Sequence, residues 1–362
     1  MRIDLIKRPE QSKVMAVASP LIAVGLTLVT GLIIFAALGV PPLKGLWVYF
    51  IEPLTNAWSL EKLAIKASPL IMIAAGLAVS YRANVWNIGA EGQLTIGALF
   101  GSAIPVLFNS WQSPLTIVSM LILGIIGGAL WGLIPALLKV KTGANEILTS
   151  LMLVYVAQLL LDWLVRGPWR DPHGHNFPMS VAFTDWQKLP VFGTTDIHYG
   201  VVLAVLAALA LGVLMTKTLT GFEVRVMGTA PRAGAFAGFS PQRMVIFAFL
   251  LSGGLAGLAG ICEIAGPGEI LQPVISPGYG FTAIIVAFLG RLNPVGVIVA
   301  GLALAVSYLG GEEAHSAFGI SDKAARVFQG LLLFYILACD TLILYRIDIS
   351  WRRATAQAGG AE

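Results

Sequence analysis

Residues 79–93 read VSYRANVWNIGAEGQ, and this polar stretch separates two long apolar runs. It holds an Arg, two Asn, a Glu, a Gln and two Gly. Lipid offers no hydrogen-bond partners, so polar side chains and broken helical backbone between two membrane spans need protein or water around them. The stretch is therefore either a loop at the membrane surface or irregular backbone that lines a pathway through the protein.

The composition is that of a membrane protein. Hydrophobic residues make up 57% of the chain and charged residues 12%, whereas about a quarter of a soluble domain is charged. We predict an all-α integral membrane protein, a single transmembrane domain over residues 1–362, with about ten transmembrane helices. The predicted spans are Val14–Gly39, Ala64–Val79, Leu94–Phe108, Leu115–Leu138, Ile147–Val165, Val201–Met215, Met244–Ile264, Ala283–Leu289, Val295–Leu309 and Val327–Leu344. The third, sixth and eighth spans are short or interrupted, so a total of nine or eleven spans is also compatible with the sequence.

Two further stretches of the sequence are interpreted from their lengths. The apolar stretch of the first span is much longer than the core of a signal peptide, so we expect it to remain as a helix. The longest polar interruption, residues 166–199, is predicted to be an outer loop because it is too small to bury a core of its own.

Lys and Arg predict the orientation. With ten spans and a cytoplasmic N-terminus, fifteen of the 23 Lys and Arg residues fall on the cytoplasmic side. This bias follows the positive-inside rule and places both termini in the cytoplasm. The net charge of +4 is then a topology signal, and the absence of a basic cluster interleaved with aromatic residues argues against nucleic-acid binding.

Ten spans divide into two sets of five, and an odd number in each half would give two inverted five-helix repeats. Glycine-rich breaks precede the third span, at residues 87–93, and the eighth span, at Gly278 and Gly280. Paired breaks at matching places in two halves are typical of transporter binding sites.

Signatures of catalysis and of metal sites are absent from the sequence. No Gly-Lys dipeptide occurs, so the chain has no P-loop for ATP, and it has no G-x-S-x-G or H-E-x-x-H motif. His173 and His175 lie beside Asp171, but no further ligand cluster supports a metal site there, and a solvated loop is favoured. Cys262 and Cys339 are expected to be buried apolar residues. Glu263, near the end of the seventh span, is the best candidate for an ionisable group within the membrane.

A second polar segment, residues 217–243, is predicted to lie on the cytoplasmic side. Pro231 suits the first turn of a helix and Gly238 suits its end, and Ser240 with Pro241 can start the next span. The short helix between them is rich in small residues and poorly stable alone. Either a partner protein holds it, or it packs on its own bundle.

The same segment carries a family resemblance. Its pattern is formed by Gly221, Arg225, Gly228, Ala233, Gly234, Ala237 and Gly238, and it resembles the coupling loop of ABC-importer permeases of the simple-sugar and branched-chain-amino-acid group. Residues 87–93, 143–153 and 287–296 are similar to the nucleoside-type branch of that group. The chain departs from relatives at Ala230 and Gly234, and at Val154, where relatives commonly have Asn.

The resemblance implies a permease without catalytic or metal sites and without a cofactor of its own. Partner ABC ATPases would hold ATP and magnesium, a second permease subunit would complete the pathway, and an extracytoplasmic solute-binding protein would deliver the solute. The whole would sit in a bacterial-type plasma (inner) membrane, surrounded by lipid. The residues expected to position the coupling helix are Arg225, Gly228, Pro231, Arg232, Ala233, Ala237 and Gly238. Those expected to line or brace the pathway are Asn87, Glu91, Gln93, Asn145, Glu146 and Glu263.

Three alternatives remain at this point. Within the ABC group, the solute is a nucleoside, a simple sugar or a branched-chain amino acid. An ion-coupled secondary transporter would share the apolar bundle but would need no coupling loop. A membrane-embedded transferase or hydrolase would need a cluster of acids, bases or metal ligands, which the sequence lacks.

Overall fold

The computed structural model describes residues 2–7, 13–321, 323, 327, 330–331, 334–335, 338–339 and 345–350. In this part of the chain almost all regular structure is helical. The helices are α1 (Lys13–Ala37), α2 (Pro42–Phe50), α3 (Ala57–Arg82), α4 (Ala90–Leu107), α5 (Leu115–Thr142), α6 (Glu146–Arg166), α7 (Tyr199–Lys217), α8 (Leu219–Thr229), α9 (Pro231–Phe236), α10 (Pro241–Glu263), α11 (Tyr279–Leu289) and α12 (Gly296–Phe318). A π-helical turn, Ile264–Gly268, extends α10.

The chain forms two compact units, Tyr49–Glu313 and the two terminal segments, Met1–Val48 with Ala314–Glu362. The terminal unit contains α1 and a short ribbon that the sequence analysis did not predict. In the ribbon, β1 (Arg2–Lys7) pairs antiparallel with β2 (Tyr345–Ser350), with Arg2 opposite Ser350. Both segments alternate polar and apolar residues in part, which suits an extended strand.

Six helices in the described part of the chain are long and apolar enough to cross a membrane. They are α3, α5, α6, α7, α10 with its π-helical turn, and α12, and they coincide with six of the predicted spans. α4 and α11 occupy the third and eighth predicted spans but have only 18 and 11 residues. The tenth predicted span, Val327–Leu344, lies largely outside the described residues.

Two of these helices form the centre of the Tyr49–Glu313 unit. Of the 18 residues in the most apolar part of each helix, 89% are buried in α3 and 72% in α10, whereas 22% are buried in α6. The exposed face of α6 carries Leu159 and Trp163. Lipid tails are as apolar as these side chains, so such faces suit contact with the bilayer.

Glycines bring α4, α5 and α10 into backbone contact. A Cβ atom on Gly257 of α10 would lie 2.2 Å from the Gly124 carbonyl oxygen of α5, and one on Gly97 of α4 would lie 2.1 Å from the Gly257 Cα. Gly253 and Gly257 are four residues apart, as are Gly124 and Gly128, which is the spacing that lets membrane helices approach closely. The core therefore depends on the absence of side chains at these contacts.

Candidate translocation and coupling sites

Within the stretch at residues 79–93, residues 83–89 form irregular backbone between two helices. α3 ends at Arg82, Asn84 adopts a left-handed conformation (φ 58°), and α4 begins at Ala90. Val85 is 3% exposed and Asn87 is fully buried. Arg82 and Asn84 are exposed, so the stretch begins at the protein surface and continues into the interior at Asn87.

Asn87 is the centre of a closed hydrogen-bond network. Its Nδ2 donates to Gln93 Oε1 (2.8 Å) and to Ser252 Oγ of α10 (2.9 Å). Its Oδ1 accepts from the Gly89 N–H (3.0 Å) and from Gln93 Nε2 (3.1 Å). These four bonds use both donors and both acceptor positions of the amide. Asn87 therefore ties the irregular stretch to α4 and α10 and keeps no polar atom free for a solute.

Glu91 connects the start of α4 to the start of α11. Its side chain is 3% exposed, and its Oε2 accepts from the Gly280 N–H at 2.6 Å. A Cβ on Gly280 would lie 2.3 Å from the Glu91 backbone nitrogen, so only glycine permits this contact. A carboxylate beside the first turn of α11 is stabilised by the helix dipole and by the unpaired N–H groups there.

The two breaks that the sequence singled out therefore meet in space. Ser252, the α10 partner of Asn87, lies about 16 Å along that helix from its first residue. Since α10 is long and apolar enough to cross a membrane, its contact with Asn87 lies away from either end of this candidate span. We call this contact of residues 87–93 with residues 278–280 the helix junction.

Glu263 lies close to the other side of the α11 N-terminus. It is partly exposed and hydrogen-bonded to the Tyr279 hydroxyl group, with Lys66 nearby. Lys66 itself forms an ion pair with Glu312 of α12 (2.7 Å). The structure thus brings Glu91 and Glu263 to adjacent residues, Gly280 and Tyr279, of one short helix.

Asn145 and Glu146 have a different place. The Asn145 side chain caps α6 by accepting from the Ile147 and Leu148 N–H groups, and Glu146 is paired with Lys139 of α5. Neither residue belongs to the hydrogen bonds of the helix junction. Their contacts connect α5 to α6, which is a structural task at a helix–helix turn.

Val154 of α6 also packs against the junction region. It is 2% exposed, and a Cβ on Gly92 would lie 2.9 Å from its Cα. Val154 therefore faces the first turn of α4.

The coupling segment consists of α8, which the sequence analysis did not predict, and α9, which it did. The predicted boundaries of α9 are confirmed: Pro231 is its first residue and Gly238 follows its C-cap with φ 90°. The Gly238 N–H bonds to the Ala235 carbonyl and the Phe239 N–H to the Gly234 carbonyl, which together form a Schellman motif. Ser240 caps α10 as expected.

The predicted coupling residues fall into two groups. Arg225 and Gly228 face the bundle: the Arg225 guanidinium donates to the Met215 carbonyl of α7, and a Cβ on Gly228 would lie 1.9 Å from the Arg82 carbonyl oxygen of α3. The other members lie in α9 or directly after it and are exposed, namely Pro231, Arg232, Ala233, Ala237 and Gly238. Phe236 between them is 94% exposed.

Ser252 and Ser150 are polar residues that sequence reasoning missed. Ser252 lies in the middle of the apolar α10, and Ser150 Oγ accepts from the Ile88 N–H (3.2 Å). A polar residue in the middle of a span is a recognised signal. It was weak here because a lone Ser also bonds readily within its own helix, as Ser252 does to the Ala248 carbonyl (2.7 Å).

Among the described residues, no group of three or more His, Cys, Asp or Glu side chains could hold a metal ion, and His173 and His175 are exposed. The structure thus has a buried polar junction and an exposed surface helix, and α3, α7 and α10 connect the two.

A family model described as "Branched-chain amino acid transport system / permease component" matches residues 59–337. The chain belongs to this permease family. The matched range includes both the helix junction and the coupling segment. The protein is thus a multi-pass membrane permease of the ABC transporter type.

Similar proteins carry names from two branches of transport. A glucose ABC transporter permease protein of Haloferax volcanii is 37% identical, over 96% of this chain and 95% of the relative. A nucleoside ABC transporter permease protein of Lactococcus lactis subsp. cremoris is 28% identical, over 90% and 92%. A guanosine ABC transporter permease protein of Bacillus subtilis is 26% identical, over 88% and 92%.

Proposed function

We propose that this permease forms the translocation path of an ATP-driven importer for a small polar solute, either a simple sugar or a nucleoside. The observation that carries the proposal is α9, a six-residue helix presented on the surface of the bundle. A helix this short is not stable by itself. It is held by its buried Gly234, where a Cβ would lie 2.6 Å from Met227 Sδ of α8, while the exposed side chain of Phe236 points away.

α9 is well placed to transmit movement to the bundle. α8, against which it packs, touches α3 through Gly228 and α7 through Arg225. A short turn connects α9 to the capped start of α10. The two helices that form the centre of the unit, α3 and α10, are therefore both reached from α9. A partner that gripped Phe236 and moved α9 would act on the helices that hold the junction.

The first experiment tests whether α9 binds an ATPase. We expect an ABC ATPase to co-purify with the tagged permease in mild detergent and Phe236→Ser to remove most of it, because a fully exposed aromatic anchor contributes strongly to an interface. Phe177→Ser is the matched control, since Phe177 is 61% exposed in the loop at residues 166–199. A complex that contains no ATPase, or one that Phe236→Ser leaves intact, would contradict the proposal.

The helix junction is proposed to take part in solute passage. We expect Glu91→Gln to lower uptake by about tenfold, because the amide loses the charge-assisted bond to Gly280 and the charge beside the α11 N-terminus. Membrane insertion should be unchanged. Glu52→Gln, in a 3-10 turn before α3, is the control, and full uptake by the Glu91 variant would remove Glu91 from the pathway.

We further propose the arrangement that the sequence predicted. It comprises about ten spans in two inverted repeats and one permease domain over residues 1–362, with both termini in the cytoplasm of a bacterial-type plasma membrane. The contact between the third- and eighth-span breaks supports inverted repeats. The partners are two ABC ATPase subunits that hold ATP and magnesium, a second permease subunit and an extracytoplasmic solute-binding protein.

The ion-coupled secondary transporter that the sequence left open is not a second candidate, because the chain belongs to the permease family described above. Uptake that followed a sodium or proton gradient and ignored ATP would contradict ATP-driven import.

A further inference from the structure

Residues 189–198 form a short hairpin in the loop that precedes α7. Val191 and His198 are paired as an antiparallel bridge, and the Phe192 N–H bonds to the Ile197 carbonyl (3.0 Å). We call this segment the outer hairpin. It ends at His198, which is the N-cap residue of α7, so His198 connects the hairpin directly to a candidate span.

A backbone hydrogen bond fastens the base of the outer hairpin to the end of α10. The Leu189 N–H bonds to the Ala265 carbonyl in the π-helical turn that extends this helix (2.7 Å). The first half of the same loop has anchors of its own, since the Ser180 N–H bonds to the Leu271 carbonyl (3.0 Å) and the Ser180 Oγ accepts from the Leu271 N–H (3.0 Å). Separation of the hairpin from the bundle therefore does not require release of the rest of the loop.

The His198 ring is clamped between two glycines where the hairpin meets the bundle. His198 is 3% exposed. A Cβ on Gly200 would lie 2.6 Å from its Nδ1, and one on Gly266 would lie 3.0 Å from its Nε2. Gly200 belongs to the first turn of α7 and Gly266 to the π-helical turn. The ring therefore fills the space between the start of one helix and the end of another, and its Nε2 is sealed from water.

Both ring nitrogens of His198 favour the neutral form. The Nδ1 atom accepts from the Gly200 N–H (3.1 Å), so the proton of the neutral ring lies on Nε2. A second proton would have to sit on Nδ1, where it would face the Gly200 N–H and abolish the helix cap. The Nε2 atom has no hydrogen-bond partner among the described residues, so a charged ring would find no acceptor there. Burial lowers the pKa of His198 to about 4.

The charged groups beside the outer hairpin are paired with one another. Lys62 Nζ of α3 lies 3.0 Å from Asp196 Oδ2, and Lys188 Nζ lies 2.9 Å from Glu269 Oε2. Asp185 is fully exposed and lies 4.0 Å from Lys188. In the part of the chain that the structure describes, none of these carboxylates forms an ion pair with the ring. A protonated His198 would therefore gain no direct partner from them.

The ionisable groups on the flanking helices are uncharged or have other partners. On α10, Cys262 is a buried free thiol, and Glu263 is hydrogen-bonded to the Tyr279 hydroxyl group. On α7, Tyr199 stacks on Phe192 of the hairpin with ring centroids 4.5 Å apart. Protonation of the buried ring would thus place a charge in a site that lacks both water and a counter-ion, which is strongly unfavourable.

We propose that His198 is an acid-sensitive lock, which holds the outer hairpin against the bundle at neutral pH and releases it when the ring is protonated. A released and hydrated ring has the ordinary His pKa of about 6.5. Above this pH both forms are neutral and the lock has its full strength. Below it only the released form gains a proton, so release becomes steadily more favourable until the pH reaches about 4.

The lock goes beyond the proposed import function and requires no ATPase. In the orientation proposed above, the loop faces the outside of the cell, so acid in the external medium would operate it. Histidine suits such a switch because its charge changes in the range of pH that proteins meet. The hairpin is the element that responds, and the helices behind it stay in place.

Hydrogen–deuterium exchange of the full-length permease in nanodiscs tests the lock, with exchange times scaled to the intrinsic rate at each pH. The reporters are the Leu189 and Gly200 N–H groups, whose hydrogen bonds hold the hairpin and the cap. From pH 7.5 to pH 5 we expect their protection to fall about ten- to thirtyfold, the ratio that follows from the two pKa values, and to return on neutralisation. The amides of α3 should stay protected.

His198→Asn separates the lock from other effects of acid. Asn is a preferred N-cap residue and does not titrate, so the protection of both reporters should no longer depend on pH. His175→Asn makes the same substitution at an exposed residue of the same loop with left-handed backbone (φ 49°), which Asn tolerates, and should respond to acid as the wild type does. His198→Ser, which also keeps a capping oxygen, replaces the Asn variant if that protein does not fold.

Unchanged protection in the wild type down to pH 5 would overturn the proposal, whatever the variants do. An equal loss in His198→Asn would overturn it as well, because another group would then be responsible. A loss that included α3 would be general unfolding and would count against a local lock. These measurements use the permease alone, so their failure is distinct from a failure of the co-purification experiment that tests import.

Discussion

Gly257→Ala is expected to prevent stable folding of the bundle. The added methyl group would lie 2.2 Å from the Gly124 carbonyl oxygen and 2.9 Å from the Gly128 Cα. Both are backbone atoms of α5, which cannot move aside as a side chain can. Overpacking of this kind costs about 3 kcal/mol or more when backbone must shift. We expect a large fall in the monodisperse fraction on size-exclusion chromatography and a lower melting temperature in detergent.

Gly25→Ala is the matched control for that prediction. Gly25 also lies within a long apolar helix, α1, but among the described residues no atom outside the backbone of that helix lies within 4 Å of the position its Cβ would take. The substitution there should be neutral or slightly stabilising, since Ala favours helix over Gly. If both variants have the same melting temperature as the wild type, the close contact of α4, α5 and α10 is not what stabilises the bundle.

Gly238→Val is expected to uncouple ATP hydrolysis from uptake without unfolding the bundle. With φ at 90°, Gly238 has a conformation that a β-branched residue strongly disfavours. The Schellman motif at the end of α9 would be lost, and α9 would no longer present Phe236 at a fixed position. Uptake in proteoliposomes should fall at least tenfold, while the melting temperature of the permease and basal hydrolysis by the partner change little.

Gly193→Val separates this effect from a general cost of strained backbone. Gly193 also has a positive φ (57°) and open space around its Cβ position, but it belongs to the loop at residues 166–199. Its variant should keep normal coupling. Unchanged coupling in the Gly238 variant would show that α9 is a passive turn.

The structural features that the sequence predicted well are those that depend on residues close in the chain or on the surrounding bilayer. The end of α9 follows from the need for left-handed backbone at Gly238, and the start of α10 from the capping chemistry of Ser240. The six long spans follow from the length of apolar chain that a bilayer requires. Each of these signals is contained within a few turns of helix.

Contacts between distant residues could not be predicted in this way. Asn87 and Ser252 are 165 residues apart, and an isolated Ser in a span does not identify its partner. Asn145 was predicted to line or brace the pathway, and the structure shows in addition that its side chain caps α6, a task that its residue type also suits.

The helix junction shows most clearly which features the sequence determines and which depend on the tertiary structure. The sequence by itself determined that the chain breaks at residues 87–93 and again before Tyr279, because Gly and polar residues cannot continue an apolar helix without support. Only the tertiary structure decided that the two breaks touch, with Glu91 bonded to Gly280. That contact depends on glycines elsewhere that let α4, α5 and α10 approach within backbone distance, and close packing of this kind is a property of the whole bundle rather than of any segment.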